Sequence, residues 1–312
     1  MSRSPSVILV GPQQPQFDVG AALREAGVGG PVALITAGYQ ERESEDQALV
    51  AELGVPTVNL RLHARSEEVF AEDPELARAH KARQGRLRLV NDFYRIRLDH
   101  AFEAARSISV RHVDAALLAD ELEQSVRWLQ QLDRDYVERC QAAQSAFDAE
   151  WRPNERPAVA RHRRELASVL DDSAAVVVMG GHVVSLLNRM KLLDVVGLAR
   201  PEQTWVAAAA GAMVLTERIF LFHDFPPHGT GVAEVHDRGF GLVRGLVVLP
   251  DPQRRLRRDD HEGIARFVRR TGPATCVALE HGARVIVKDG KVVGGRYDVL
   301  TADGTIEGGL PE

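Results

Sequence analysis

Cysteine is nearly absent from these 312 residues, with only Cys140 and Cys276. Two thiols are too few for a disulfide framework or a cysteine-based metal site. They fall in a helical stripe and in a strand, which makes both core thiols. Lysine is scarce too, at Lys81, Lys191, Lys288 and Lys291 alone, so arginine carries nearly all the positive charge. That bias matches a GC-rich coding sequence better than a phosphate-binding surface. A formal charge of -5, with both signs interspersed, marks no nucleic-acid face. No apolar run is long enough to span a bilayer, and Met1 to Pro5 followed by Ser6–Val10 lacks a signal-peptide pattern. A cytoplasmic protein without membrane contact is the expectation. No low-complexity linker and no internal repeat divides the chain.

What is present is 45% hydrophobic residues, ample for a core. Short β-branched runs at 6–10, 31–37 and 57–62 alternate with helical patterns at 19–26 and 43–53. That rhythm predicts a parallel, doubly wound sheet. Residues from about 66 to 170 break it. From Val113 to Phe147, apolar side chains recur in steps of three and four, through Leu118, Leu122, Val126, Leu129, Leu132, Tyr136, Cys140 and Ala143. The steps draw one continuous helical stripe. Leu89, Phe93, Ile96 and Phe102 offer a partner stripe, which predicts a long antiparallel helical hairpin closed at Trp151-Arg152-Pro153. A third helix over 157–170 leads back to the sheet. The hairpin packs on its own core or serves as a dimerisation or partner-binding arm. Antiparallel strands near 276–279, 284–287 and 292–293, with a turn at Asp289-Gly290, end a single domain spanning 1–312.

The organising stretch is Thr204-Trp205-Val206-Ala207-Ala208-Ala209-Ala210-Gly211-Ala212-Met213-Val214-Leu215. It reads as a buried strand running straight into a helix through small residues. A strained strand-to-helix "nucleophile elbow" requires such neighbours, because strand and helix approach closely there. The spacing puts the nucleophile position at Ala209, which has no heteroatom to attack with. Its lack of a thiol also argues against a glutamine amidotransferase, whose nucleophile would be a cysteine there.

Taken with Val176-Val177-Val178-Met179-Gly180-Gly181-His182 before it and the Gly239-to-Pro250 segment after it, the elbow resembles the S51 peptidase family. That family, dipeptidase E and cyanophycinase, lies in the class I glutamine amidotransferase-like superfamily. The resemblance covers roughly residues 5–62 and 172–307. It implies a flavodoxin-like α/β core, mostly parallel, to which the residues themselves add the helical insertion, beyond what that family's core needs, and a small antiparallel C-terminal extension. It also implies a Ser-His-acid hydrolase ancestry and a cleft for a small acidic or peptide-like ligand, without a cofactor. The resemblance places the serine at Ala209, the histidine at Asp251 and the acid at Glu280. A carboxylate is a poor base for an alcohol near neutral pH. One member of three survives, and the expectation is a non-catalytic relative. Oxyanion donors would be the backbone N–H groups of Gly181 and Ala210, with Gly180 shaping the turn and His182 where the family more often has Asn, Asp or Gln.

Other candidates stand beside these. His223, Asp224, His228, His236 and Asp237 match no strong metal motif, so no metal is expected. His223 or His228 could line the cleft instead. Arg254 or Arg257 could hold a substrate carboxylate, the alternative being a self-compensating charged helix start. A hydrolase of altered mechanism using His182, His223 or Glu280, and a homo-oligomer assembled through the hairpin, are the competing functional readings.

Overall fold

The computed structural model describes residues 5–224 and 232–309. The chain begins with β1 (Val7–Val10), α1 (Val19–Glu25), β2 (Val32–Ile35), α2 (Gln47–Leu53) and β3 (Thr57–Asn59). Four helices follow: α3 (Leu62–Glu72), α4 (Pro74–Ser109), α5 (Ala115–Trp151) and α6 (Pro157–Asp171). The sheet resumes at β4 (Ala175–Val178), α7 (Val183–Leu192), α8 (Val195–Leu198), β5 (Thr204–Ala208) and α9 (Ala210–Leu215). Then come β6 (Arg218–Leu221), β7 (Glu234–Arg238), β8 (Leu246–Pro250), α10 (Pro252–Arg255) and α11 (His261–Thr271). The last strands are β9 (Thr275–Leu279), β10 (Arg284–Lys288), β11 (Lys291–Leu300) and β12 (Ile306–Gly309).

The main sheet runs β3-β2-β4-β5-β1-β10-β11-β9-β8, with β12 beside β11. Its first five strands are parallel. β10 reverses direction against β1, and β11 pairs antiparallel with both β10 and β9. β1, β2 and β4 are buried throughout, and alternate residues feed opposite layers. Val7, Leu9, Val176 and Val178 pack toward α3, α6, α7 and α9. Ile8, Val10, Val177 and Val206 pack toward α1 and α2. Helices on both faces of a mostly parallel sheet make the doubly wound α/β arrangement that the strand–helix rhythm predicts. No helix among the described residues is long and apolar enough to cross a membrane.

The insertion is helical, and α4 and α5 form the long hairpin. Asp73 caps α4 by accepting from Leu76 N, with Pro74 preset in the first turn; Asp114 caps α5 by accepting from Ala116 N and Leu117 N. The α5 stripe is core, with Leu129, Tyr136, Cys140 and Phe147 buried. The α4 stripe needs correction. Leu89, Phe93 and Ile96 face solvent, and the packing face is instead Tyr94, Leu98 and Ala105, with Phe102 against the same core. Two apolar stripes share α4, and the packing one is selected by a polar contact. Tyr94 donates to Asp133 at 2.7 Å and accepts from Val235 N at 3.1 Å.

Those contacts belong to a buried cluster that docks the hairpin. Arg270 of α11 and Asp133 of α5 are both essentially inaccessible, and the guanidinium grips the carboxylate through two bonds of 2.7 Å. Arg270 also donates to Tyr94 Oη at 2.9 Å and to Ala233 O at 2.5 Å. One ionic cluster thus joins α4, α5, α11 and the approach to β7. Two further differences are local. The helix expected over 43–53 begins only at Gln47, because the buried Glu43 carboxylate accepts from His63 N and Ala64 N, each at 3.0 Å, and so caps α3. β7, which pairs with β6, lies where no strand is expected.

Asp133→Ala would leave Arg270 a buried cation without its carboxylate. We expect a loss of about 3–5 kcal/mol in stability from urea unfolding. The apolar pair Asp133→Leu with Arg270→Met should regain most of that loss.

Candidate functional site

The turn from β5 to α9 is an elbow. Ala209 has φ 49° and ψ -114°, a conformation that a residue with a side chain adopts only when its surroundings impose it. Three contacts do so. Ala209 N donates to Val10 O at 3.0 Å, holding the turn against the end of β1. Met213 N donates to Ala209 O at 3.2 Å and starts α9. A Cβ on Gly211 would lie 2.3 Å from Val178 O, so only glycine lets α9 cross the end of β4.

A second turn meets the first. A Cβ on Gly180 would sit 3.1 Å from the Ala209 methyl. Gly181 has φ +96°, and a Cβ there would fall 2.4 Å from Gly38 O; a Cβ on Gly38 would fall 2.1 Å from Gly180 O. The β2 and β4 turns therefore dovetail, backbone on backbone. His182 N donates to Gly38 O at 2.7 Å and completes the lock.

These turns wall a cleft of about 480 Å³ at the carboxyl ends of β1, β2, β4 and β5. Its lining includes Gln13, Phe17, Tyr39, Gly180, Gly181 and Ala209. The helices that follow β5 and β1 leave toward opposite faces of the sheet. Crevices at such a switch point are where open α/β sheets bind ligands. Ala209 is half-buried, so its methyl borders open space rather than filled core. Arg42 and Glu45 pair at 2.8 Å on the exposed rim. Burial of the Tyr39 ring raises its phenol above the ordinary tyrosine value.

The sequence-predicted residues fall into three groups. Gly180, Gly181 and Ala209 share the cleft, and Ala210 lies buried directly behind it at the start of α9. His182 caps α7: its Nδ1 accepts from Ser185 N at 3.2 Å and lies 2.9 Å from Ser185 Oγ. Gln40 Nε2 donates to the same hydroxyl at 2.8 Å. Gln40 has φ 58° and ψ -124°, a second residue in the conformation of the elbow, and one that sequence reasoning missed. No local sequence signal marks it.

Asp251 and Glu280 form the second group. They follow paired strand ends, since Pro250 of β8 stands opposite Leu279 of β9, and Asp251 N donates to Leu279 O at 3.0 Å. Glu280 Oε1 accepts from Gln253 N at 2.8 Å. Partial burial and the Asp251 carboxylate raise Glu280 above the usual carboxylate range, against the pull of that amide. The Glu280 backbone also abuts the start of the cleft loop, because a Cβ on Gly11 would meet Glu280 O. Neither carboxylate is among the residues lining the cleft around Ala209.

His223 and Arg254 make the third group, on the α10 side. Asp224, next to His223, donates its N–H to Arg255 O at 2.7 Å and accepts from Arg257 N at 2.8 Å. Arg254 is exposed, and its N–H donates to Asp251 O at 3.2 Å. His236 and Asp237 sit elsewhere, on β7, where Asp237 binds Lys191 at 2.7 Å and burial pushes the His236 imidazole down. Among the described residues, no three His, Cys, Asp or Glu side chains are grouped to hold a metal ion. His228 lies outside the described residues.

No family model and no curated protein matches the chain. Among solved structures it is similar to the crystal structure of a peptidase from an acI-B1 Actinobacterium, at 12% identity and a TM-score of 0.47, over 96% of this chain and 92% of that one.

Proposed function

We propose that the protein is a non-hydrolysing relative of the S51 serine peptidases, whose elbow cleft binds a small acidic or peptide-like molecule. One observation carries the reading: a methyl group occupies the apex of a strained elbow, Ala209 at φ 49° and ψ -114°, facing an open cleft. Strain of this kind costs on the order of 1–3 kcal/mol and is out of place in a turn that only connects two elements. The chemistry of serine hydrolysis needs a hydroxyl at that apex and a base beside it. Alanine supplies no hydroxyl, and the histidine position assigned by resemblance holds Asp251.

The backbone of the site is independent of those side chains. N–H groups at Gly181 and Ala210 suit a carbonyl or carboxylate oxygen, as they would in a working oxyanion hole. Aromatic surface from Phe17 and Tyr39 and the exposed amide of Gln14 give the cleft apolar and polar walls, while the Gln13 amide is taken up within its own loop by Gly11 O, Asp18 and Val19 N. Such a site recognises an acyl-bearing ligand without breaking it.

A second reading, a hydrolase of altered mechanism, draws on the Asp251–Glu280 pair. Two neighbouring carboxylates with one pushed upward form an acid/base arrangement. Their position outside the lining around Ala209 counts against it.

A fluorophosphonate probe should leave the wild-type protein unlabelled, and Ala209→Ser should gain no peptidase activity. Labelling of any serine in the wild type, Ser185 beside His182 included, would overturn the non-hydrolysing reading. Acidic dipeptides at concentrations well above Kd should raise the melting temperature by several degrees, since 100-fold saturation contributes about 2.7 kcal/mol. Ala209→Leu, which pushes a branched side chain into the cleft at its apex, should abolish that rise, whereas Glu280→Gln should preserve it. Loss of the rise in Glu280→Gln would favour the second reading.

A further inference from the structure

α4 has one apolar stripe too many. Tyr94, Leu98 and Ala105 pack inward, yet Leu89, Phe93 and Ile96 are 60%, 58% and 56% exposed on the opposite side. Spacings of four and three put these three on one line along the helix. Next to them, Trp128 of α5 is 58% exposed at a groove of about 360 Å³ between the two helices, with Val90, Leu132 and Tyr136 in its lining. Single apolar residues on a surface need no explanation, but a stripe joined to a groove marks a contact surface.

The charges along one flank of the stripe say what covers it. Arg88, Asp92, Arg95 and Asp99 are all exposed and follow one another at steps of four, three and four. Reversing the helix direction inverts every sign in that series. A second α4 running antiparallel, centred near Phe93, therefore sets Arg88 against Asp99 and Asp92 against Arg95, each twice by symmetry. A parallel copy would bring this flank to Arg86, Val90 and Arg97, which offer no carboxylate. Arg95 Nε already pairs with Glu234 of its own chain at 3.2 Å, so it would meet Asp92 of the second copy through its remaining guanidinium N–H groups.

We propose that α4 is a two-fold, self-complementary dimer interface, with Phe93 close to the symmetry axis and the Arg88–Asp99 and Asp92–Arg95 pairs fixing an antiparallel register. In an isologous contact each patch must serve as both knob and hole. The exposed stripe with Trp128 is the knob, and the groove beside it is the hole. Specific interfaces take about 800 Å² from each partner, so the contact includes the groove and Trp128 as well as the stripe. The ion pairs at its edge set orientation more than affinity. From Leu129 onward the α5 stripe is not available as the interface, because Leu129, Tyr136, Cys140 and Phe147 are buried in the protein's own core.

Sedimentation of the full chain tests this, with circular dichroism as the check on folding. The wild type should be a dimer. Phe93→Glu, an exposed change, should weaken dimerisation by about 30-fold or more. Arg88→Asp should weaken it as well, and the swap Arg88→Asp with Asp99→Arg should restore it. Phe93→Cys should cross-link to its own counterpart under mild oxidation, while the native Cys140 and Cys276 stay buried. A wild type that remains monomeric at hundreds of micromolar would overturn the proposal, even if it binds some other protein through this face. So would a dimer untouched by Phe93→Glu, or a charge swap that restores nothing.

Discussion

The closeness of two backbone turns governs the site. The turn after β4 and the turn after β5 meet where a Cβ on Gly180 would crowd the Ala209 methyl and Gly211 crosses Val178 O. A side chain at Gly211 or at Gly38 would force backbone apart by more than an ångström, since the nearest oxygen lies 2.3 Å or 2.1 Å away. Because the strands beneath are fully buried, the turns cannot relax by moving outward. Ala209 is held strained by its neighbours, and the cleft inherits its shape from them. The scaffold of the site is thus steric before it is chemical, because its shape is set by backbone contacts and not by polar side chains.

The insertion is governed by a different force. Its long helices bury little on their outer side, and the inner side adds a buried bidentate ion pair to an aromatic core. Tyr94 and Tyr136 stack at 4.3 Å between centroids, and Tyr136 donates to His236 O at 3.0 Å. A guanidinium removed from water requires its carboxylate in a single geometry, so the pair fixes the angle at which the hairpin docks. Apolar contacts alone would tolerate a range of angles.

Much of this was legible in the residues, for identifiable reasons. Strands that are buried on both faces read as unbroken β-branched runs, and small residues with Gly211 could serve little but a close strand-to-helix crossing. The α5 stripe was legible because its apolar steps from Leu118 to Phe147 never break over about eight turns. The α4 stripe misled because amphipathic spacing fits Leu89-Phe93-Ile96 as well as Tyr94-Leu98-Ala105. What decides between them is Asp133, which is distant in sequence from Tyr94. Pairings of that kind, like Arg270 with Asp133 or Glu43 with the start of α3, leave no periodic trace. The adjacency of Asp251 and Glu280 depends on β8 lying parallel to β9, a register that neither strand's sequence declares. Gln40 adopts its unusual backbone because Gly38 and Gly181 interlock beside it, and nothing in the letters around it demands a glycine.

The buried Arg270 has one more implication. Asp73 and Arg156 already bind each other at 2.5 Å and 2.6 Å across the base of the hairpin, so the chain could be closed there by a few residues if α4 and α5 were cut away. Geometrically the hairpin is a removable handle. Electrostatically it is not, because excision strips Arg270 of both Asp133 and Tyr94 and leaves a cation facing the newly opened core. Any trimmed version of this scaffold must therefore recode position 270 in the same step, which couples two segments more than a hundred residues apart in the history of the sequence.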